Sequence, residues 1–311
     1  MSSPNNECHY SPQCCSQVRP EGKKNFWSWR KIAVLCAPLV WFALCQSANL
    51  PIVDLLSSRW TLILTGFAAA LIGNISAIGG GIVFIPVMIF CYKLTPIVAL
   101  KIAIASQSIG MTTGAIGWMS GNQLCKKSLR SAVPGLLIGS TLTSLVFHPS
   151  SILVKGLFGP ISIILGLLVL ASVKGNKASN NGNIDCHWCN KVFFVSIIGG
   201  AISGCVAVGE GELVAAYFML AAGLSSRASI ATGVVLLSIT SIYLTVLHQF
   251  FLGGIPWDYA AFTGLGCVYG ASLAPIIARR VNQQKLKIGF ACIAIIDGCL
   301  FLYQFISSSV P

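Results

Sequence analysis

Residues 77–86 read Ala77-Ile78-Gly79-Gly80-Gly81-Ile82-Val83-Phe84-Ile85-Pro86, and residues 207–216 read Ala207-Val208-Gly209-Glu210-Gly211-Glu212-Leu213-Val214-Ala215-Ala216. Each stretch interrupts an apolar segment, 60–92 and 192–222, of more than 30 residues. That is too long for one ordinary crossing of a hydrocarbon core, which takes about 20 residues. Clustered glycines weaken a helix and leave backbone N–H and C=O groups unpaired, which lipid tolerates only where the break faces protein or a water-filled cavity. Two broken helices buried inside a larger membrane protein are therefore expected.

Composition agrees. Of 311 residues, 55% are hydrophobic and 9% charged, with a mean hydropathy of +0.80, whereas a soluble domain carries about a quarter charged residues. A soluble globular protein is excluded. The net charge of +12 would suggest nucleic acid in a soluble chain, but no basic run alternates with stacking aromatics. Topology is the simpler source, because membrane proteins keep Lys and Arg on the cytoplasmic side. The remaining apolar segments fall at about 97–120, 128–147, 151–173, 229–252, 257–278 and 286–306, with a further run over 32–50. Residues 1–31 read as a cytosolic, Cys-containing tail, and 174–191 as a polar cytosolic loop.

The two breaks are 130 residues apart (209 − 79), an offset that also pairs Leu94 with Leu224 and Ser108 with Ser238. With one more residue of shift, Gly135 and Gly139 fall on Gly266 and Gly270. An internal duplication follows, with repeats at 60–173 and 192–306. If each broken segment crosses once, the basic residues divide 12 inside to 7 outside; if each dips in and returns, 16 lie inside and only Arg59, Lys93 and Lys155 outside, with Lys101 within a span. The second arrangement satisfies the positive-inside rule better. Each repeat then holds one hairpin and three crossings, an odd number, so the repeats insert in opposite orientations. The expected fold is an all-α polytopic membrane protein with two inverted repeats, each a broken re-entrant helical hairpin plus three transmembrane helices. One extra N-terminal transmembrane helix precedes them, making seven full crossings. The N-terminus is placed in the cytoplasm and the C-terminus outside. Inverted repeats whose broken helices meet near the midplane are a secondary-transporter architecture, although glycines at such positions also permit close helix packing.

A glycine cluster followed five residues later by Pro86, with a second cluster in the other half of the chain, resembles the TauE/SafE family of sulfite and organosulfonate exporters. The second half carries the resemblance further through Gly223, Ala231-Thr232, His248, Gly253-Gly254-Ile255-Pro256-Trp257 and Gly270-Ala271. It covers about 60–306. It implies transport of small sulfur-containing or related anions across the cell membrane without an ATPase, and the chain has no Walker-type phosphate loop. The second cluster departs from the pattern, carrying Glu210 and Glu212 and having Ala216 where a proline would stand.

The residues suggest how an anion would be held. A half-helix starting after Gly79, Gly80 and Gly81 points free N–H groups and its positive dipole end into the membrane interior, and binds anions without a basic side chain. Gly209 and Gly211 occupy the corresponding turn. Ser106, Gln107 and Ser108 on the next helix are candidate polar partners; for the two serines, hydrogen bonding within the helix is an equal alternative, whereas an amide in a span must find a partner. Acids inside spans are functional hypotheses by default. Glu210, Glu212 and Asp297 are therefore candidate proton-coupling groups. The bland reading of the pair is an internal counter-charge at a helix N-terminus, and a carboxylate pair also admits a cation as substrate. Lys101 and His248 are expected near the outer interface.

Most of the 13 cysteines behave as small hydrophobes. Cys8, Cys14, Cys15 and the run Cys186-His187-Trp188-Cys189 could build a cytosolic zinc or thiol-redox site, which keeps a membrane-embedded sensor as an alternative function. No enzyme activity, cofactor or resident metal is expected. The expected partners are a small anionic substrate and the lipid bilayer, with no nucleic acid and with homo-oligomer formation left open.

Overall fold

The structure, a computed structural model, describes residues 23–309 except 48, 78, 120–123, 125, 147–150, 175–185, 222 and 223. α1 (Lys23–Ser47) begins inside the stretch expected to be tail. The breakers Pro20 and Gly22 stand ahead of it, and no Gly or Pro follows until Pro38. The chain then turns through 119° into α2 (Ile52–Arg59). α3 (Thr61–Ser76) follows at once. α4 (Gly81–Pro86) continues as a π-helical turn, Val87–Cys91, after a proline that cannot donate to the ladder. Next come α5 (Pro96–Met119), with proline at its first position, α6 (Lys126–Thr141, extended by a π turn Leu142–Val146) and α7 (Ser151–Lys174). α8 (Cys186–Val206) starts inside the expected loop and precedes α9 (Glu210–Leu220). α10 (Ser226–Phe250) is capped by Ser225, whose hydroxyl accepts from the Ala228 N–H at 3.3 Å. α11 (Trp257–Arg280) and α12 (Gln283–Ser309) complete the chain.

Five described stretches are long and apolar enough to cross a membrane: Pro96–Met119, Ser128–Val146, Ser151–Ala171, Arg227–Phe250 and Trp257–Ala278. The bent pair Val34–Ser47 and Ile52–Arg59 makes a sixth if taken as one span. The expected crossing at 286–306 has a shorter apolar stretch, Ala291–Ser307, because Lys285 and Lys287 stand ahead of it and Asp297 within it.

Glycine sets how the helices meet. α3 and α11 run parallel, and a Cβ on Gly266 or Gly270 would strike the carbonyl of Ile63 or Phe67. α6 and α8 also run parallel, with Gly135 and Gly139 against the carbonyls of Phe193 and Ile197. These are small-xxx-small contacts, in which backbones approach closely and gain dispersion energy that lipid does not supply. α5 and α10 run antiparallel: Thr112 and Ser238 share a hydroxyl hydrogen bond of 2.9 Å, and Thr245 donates to the Ile104 carbonyl at 3.4 Å. α7 and α12 are antiparallel too, with Gly156 against Phe305 and Gly166 against Ile295.

α3 and α4 fold back on one another. Thr61, at the start of α3, and Tyr92, just past the π turn, share a hydroxyl hydrogen bond of 2.5 Å. A straight helix over their separation of 31 residues would hold them about 45 Å apart. Likewise Val192 near the start of α8 and Phe218 near the end of α9 share one buried cluster. One end of the bundle thus collects Thr61, Tyr92, Lys101, Asp258 and Tyr259. There Arg59 donates to Asp258 at 2.5 Å and lies 3.8 Å from the centre of the Tyr259 ring. The start of α10 and the end of α11, with Arg227 and Arg280, lie at the other.

Candidate functional site

The two breaks have matching backbones. α3 ends at Ala77 in the left-handed region (φ 63°) and α8 at Ala207 (φ 54°), each followed two residues later by a positive-φ glycine, Gly79 (80°) and Gly209 (110°). A left-handed alanine costs about 1–2 kcal/mol, so surrounding structure must hold both turns. It does so reciprocally. A Cβ on Gly81 would lie 2.5 Å from the Ala207 carbonyl oxygen, and one on Gly211 would lie 2.5 Å from that of Ala77. The breaks therefore meet backbone to backbone in the bundle interior. Leu237 on α10 reaches both, touching Gly211 and approaching Gly79.

At the first break, Gly80 accepts from the N–H groups of Val83 and Phe84 at 3.0 and 2.9 Å. The earlier N–H groups of α4 have no intrahelical acceptor. Gln107 reaches this turn from α5: its Nε2 is 2.6 Å from where a Cβ on Gly79 would sit. The side chain is 3% exposed, and Nε2 has no hydrogen-bond partner. Its flanking serines do not join it. The Ser106 hydroxyl hydrogen-bonds Thr263 on α11, and that of Ser108 donates to the Ala105 carbonyl at 2.7 Å. Gly80 is less constrained than its neighbours, since a Cβ there would meet chiefly the Phe84 ring.

At the second break, Glu210 and Glu212 open α9 and are 0% and 3% exposed, and all four carboxylate oxygens lack a hydrogen-bond partner. The hydroxyls of Thr240 on α10 and Ser203 on α8 face Glu210, close enough to interact but outside hydrogen-bond geometry. The backbone N–H groups of Gly209 and Glu212 stand in the same relation to the Glu212 carboxylate. A Cβ on Gly199 would lie 3.1 Å from the Glu210 Cα, so a small residue makes room for this turn. Donors without acceptors therefore stand at one break, and acceptors without donors at the other.

Asp297 does not share this centre. It is half-buried on α12, which packs chiefly against α7. Lys101 is half-buried and donates to the Leu252 carbonyl at 2.5 Å. His248, expected near the interface, is 2% exposed with neither ring nitrogen partnered, because the chain after α10 turns back over it and Gly254 N–H bonds its carbonyl. Cys8, Cys14 and Cys15 lie outside the described residues, and of Cys186, His187 and Cys189 only the helical backbone is described. Among the described residues no group of three or more His, Cys, Asp or Glu could hold a metal ion. A cavity of about 390 Å³ between α1 and the α3–α11 pair, lined by Val34, Phe67 and Tyr269 among others, is apolar and away from the breaks.

Sequence reasoning missed Ser203, Thr240 and Asn74. Asn74 is 0% exposed, and its Nδ2 donates to the Ala70 and Gly110 carbonyls at 2.8 and 3.3 Å, which ties α3 to α5. An amide in an apolar segment was the available signal. Thr240 carried none, being one of several hydroxyls along α10.

A bundle of apolar helices with two helix breaks and unpaired polar groups at its centre belongs to the class of polytopic membrane transporters. The chain is a member of the sulfite exporter TauE/SafE family, whose model matches residues 62–300. It is similar to the probable membrane transporter protein YunE of Bacillus subtilis (strain 168), with 22% identity over 79% of this chain and 98% of that protein. A probable membrane transporter protein of Xylella fastidiosa (strain Temecula1 / ATCC 700964) is 26% identical over 71% of this chain and 84% of its own length. No solved structure is significantly similar.

Proposed function

We propose that this protein is a secondary transporter that carries a small anion, a sulfur oxyanion such as sulfite or an organosulfonate, across the cell membrane by alternating access. The observation that carries this reading is the Gln107 amide. It is a buried donor without an acceptor, beside Gly79 and the open N-terminus of α4, and it supplies what an oxyanion needs in a dry interior: N–H donors and a positive dipole end without a fixed cation. Gly79, Gly80 and Gly81 give backbone access, while Gly209 and Gly211 line the facing turn. The family name supports a transported anion of this kind, and the relatives' names support membrane transport.

The architecture we infer is two inverted repeats, α3–α7 and α8–α12, each opening with a re-entrant hairpin. The Thr61–Tyr92 hydrogen bond, the matched α3–α11 and α6–α8 glycine contacts and the distribution of basic residues support it. It puts the N-terminus in the cytoplasm and the C-terminus outside. Rocking one repeat against the other about the two breaks would expose the site to each side in turn. The candidates for coupling to protons are the membrane-embedded acids Glu210, Glu212 and Asp297. The unpaired carboxylates also favour a second reading, in which a cation is the substrate.

Counterflow in liposomes separates these readings. Purified protein should exchange labelled sulfite against internal sulfite or a sulfonate, and exchange should be blocked competitively by oxyanions of similar size. Uptake of a cation with no exchange of any oxyanion in the panel would select the second reading.

A further inference from the structure

We propose that Glu210, with the hydroxyls of Thr240 and Ser203, forms a separate site for one proton that travels with the anion cycle, and that Glu212 is not a coupling group but the cap of α9. This rests on the anion-transport reading and deepens it: of three candidate acids it selects one and gives it a place apart from the anion.

The repeats put different chemistry at equivalent positions. With the offset of 130, Glu210 stands where the first break has Gly80, Glu212 where it has Ile82, and Leu237 where it has Gln107. The first break therefore offers an unpaired donor, Gln107 Nε2, and the second offers unpaired acceptors. Gly81 and Ala207 meet where the two breaks touch, with no space for a side chain, and Gln107 approaches the Gly79 turn while Glu210 opens α9.

The carboxylates differ in surroundings. Glu212 is the third residue after Gly209, which precedes the first turn of α9. Its carboxylate faces the N–H groups of Gly209 and Glu212. This is the arrangement of a capping box, in which an N3 glutamate turns back to the helix start and offsets the dipole. Such a charge lies against its own helix start, where the dipole favours it. Glu210 faces side chains of two other helices, Ser203 of α8 and Thr240 of α10. The Thr240 hydroxyl is buried and without a hydrogen-bond partner of its own, so a polar group points at the carboxyl from outside α9. An ionised carboxylate left bare in this interior would cost several kcal/mol. A proton on Glu210 removes that cost and gives the hydroxyls a partner. The step is a simple exchange: an O–H bond forms with a proton from water on one side and breaks to water on the other.

Among the described residues no charged side chain compensates Glu210. The elements packed on α9 are α7, α8 and α10, and the first break, whose residues 77–86 hold no titratable side chain, lies against Gly211. Their titratable groups lie elsewhere in the chain: Lys155 and Lys174 toward the two ends of α7; Cys186, His187, Cys189 and Lys191 toward the start of α8, and Cys205 beside Thr143; Arg227, Tyr243 and His248 along α10, with Tyr243 bonded to Thr141. Within the pair, the charge of Glu210 acts on Glu212.

The test uses the full chain in liposomes and reads, for each variant, sulfite accumulation driven by a pH gradient relative to sulfite exchange without a gradient, together with the accompanying proton flux. Glu210→Gln should lower that ratio by about tenfold or more and abolish proton flux, and Thr240→Val should lower it partway. Glu212→Gln should lower thermal stability and leave protons moved per sulfite as in the wild type. The site is overturned if Glu210→Gln keeps the wild-type ratio, if Glu212→Gln alone uncouples, or if accumulation follows a sodium gradient and ignores pH. Infrared difference spectra give a readout that needs no transport: a protonated-carboxyl band should be present in the wild type and lost in Glu210→Gln. Absence of sulfite and sulfonate exchange by the wild type would sink the anion reading, and a missing carboxyl band would sink the proton site independently.

Discussion

Gly81 packs against the carbonyl of Ala207 with no room between them for a Cβ, and the chain repeats the contact in reverse at Gly211 and Ala77. The two interrupted helices are thus keyed to each other through backbone. Gly81→Val should cost about 1–3 kcal/mol through overpacking, seen as a lower midpoint of thermal unfolding in detergent, and should eliminate anion exchange. Gly211→Val should do the same. Gly289→Ala is the control: nothing lies within 4 Å of its Cβ position on α12, so the change should stabilise by about 0.5–1 kcal/mol. Equal losses from all three would refute the keyed contact.

Removal of the Gln107 amide should separate stability from transport. In Gln107→Leu the side chain becomes that of the equivalent position, Leu237, and an unpaired buried donor disappears. The unfolding midpoint should hold or rise. A donor to a charged ligand contributes about 1.5–3 kcal/mol, so sulfite binding should weaken roughly ten- to hundredfold by the same measure. A variant that transports normally would remove Gln107 from the site.

Sidedness is read from exposed basic positions. In a cysteine-depleted background, Lys93→Cys should react with an impermeant thiol reagent added to intact cells, and Arg130→Cys and Arg280→Cys only after permeabilisation. Labelling of Arg130→Cys from outside would rule out the re-entrant, inverted arrangement.

The Arg59–Asp258 pair ties α2 to α11, and the Arg59 guanidinium also lies on the Tyr259 ring. A partly exposed ion pair contributes little, about 0–1 kcal/mol, and the ring contact about 0.5–1 kcal/mol. Arg59→Ala should therefore lower the unfolding midpoint more than Asp258→Asn, and Arg59→Lys should fall between them. A larger loss for Asp258→Asn would place the energy in the ion pair instead.

Much of this fold is written in glycine. The clusters at 79–81 and 209–211, their common offset and the pairs Gly135/Gly139 and Gly266/Gly270 point to the breaks and to matched seams, because a missing Cβ signals a backbone that must come close. The start of α1 at Lys23 was hidden because polar residues without breakers can be tail or helix with equal ease. The site was half legible. An amide at Gln107 inside a span demands a partner, but nothing local says that the Ser106 hydroxyl turns to Thr263 while Gln107 turns to Gly79. Those directions depend on which helix packs where. Asp297 illustrates the limit: its depth in a span is visible from sequence, and its neighbours on α7 are not.

The reciprocal glycine contacts also bear on biosynthesis. The turn at Gly81 emerges from the ribosome 126 residues before Ala207, the group it rests on (207 − 81). The early half must therefore wait in the bilayer with its left-handed Ala77 unsupported until the late half arrives. Halves divided between α7 and α8 should each insert poorly alone and regain stability when produced together, which makes this junction the natural place to split the chain.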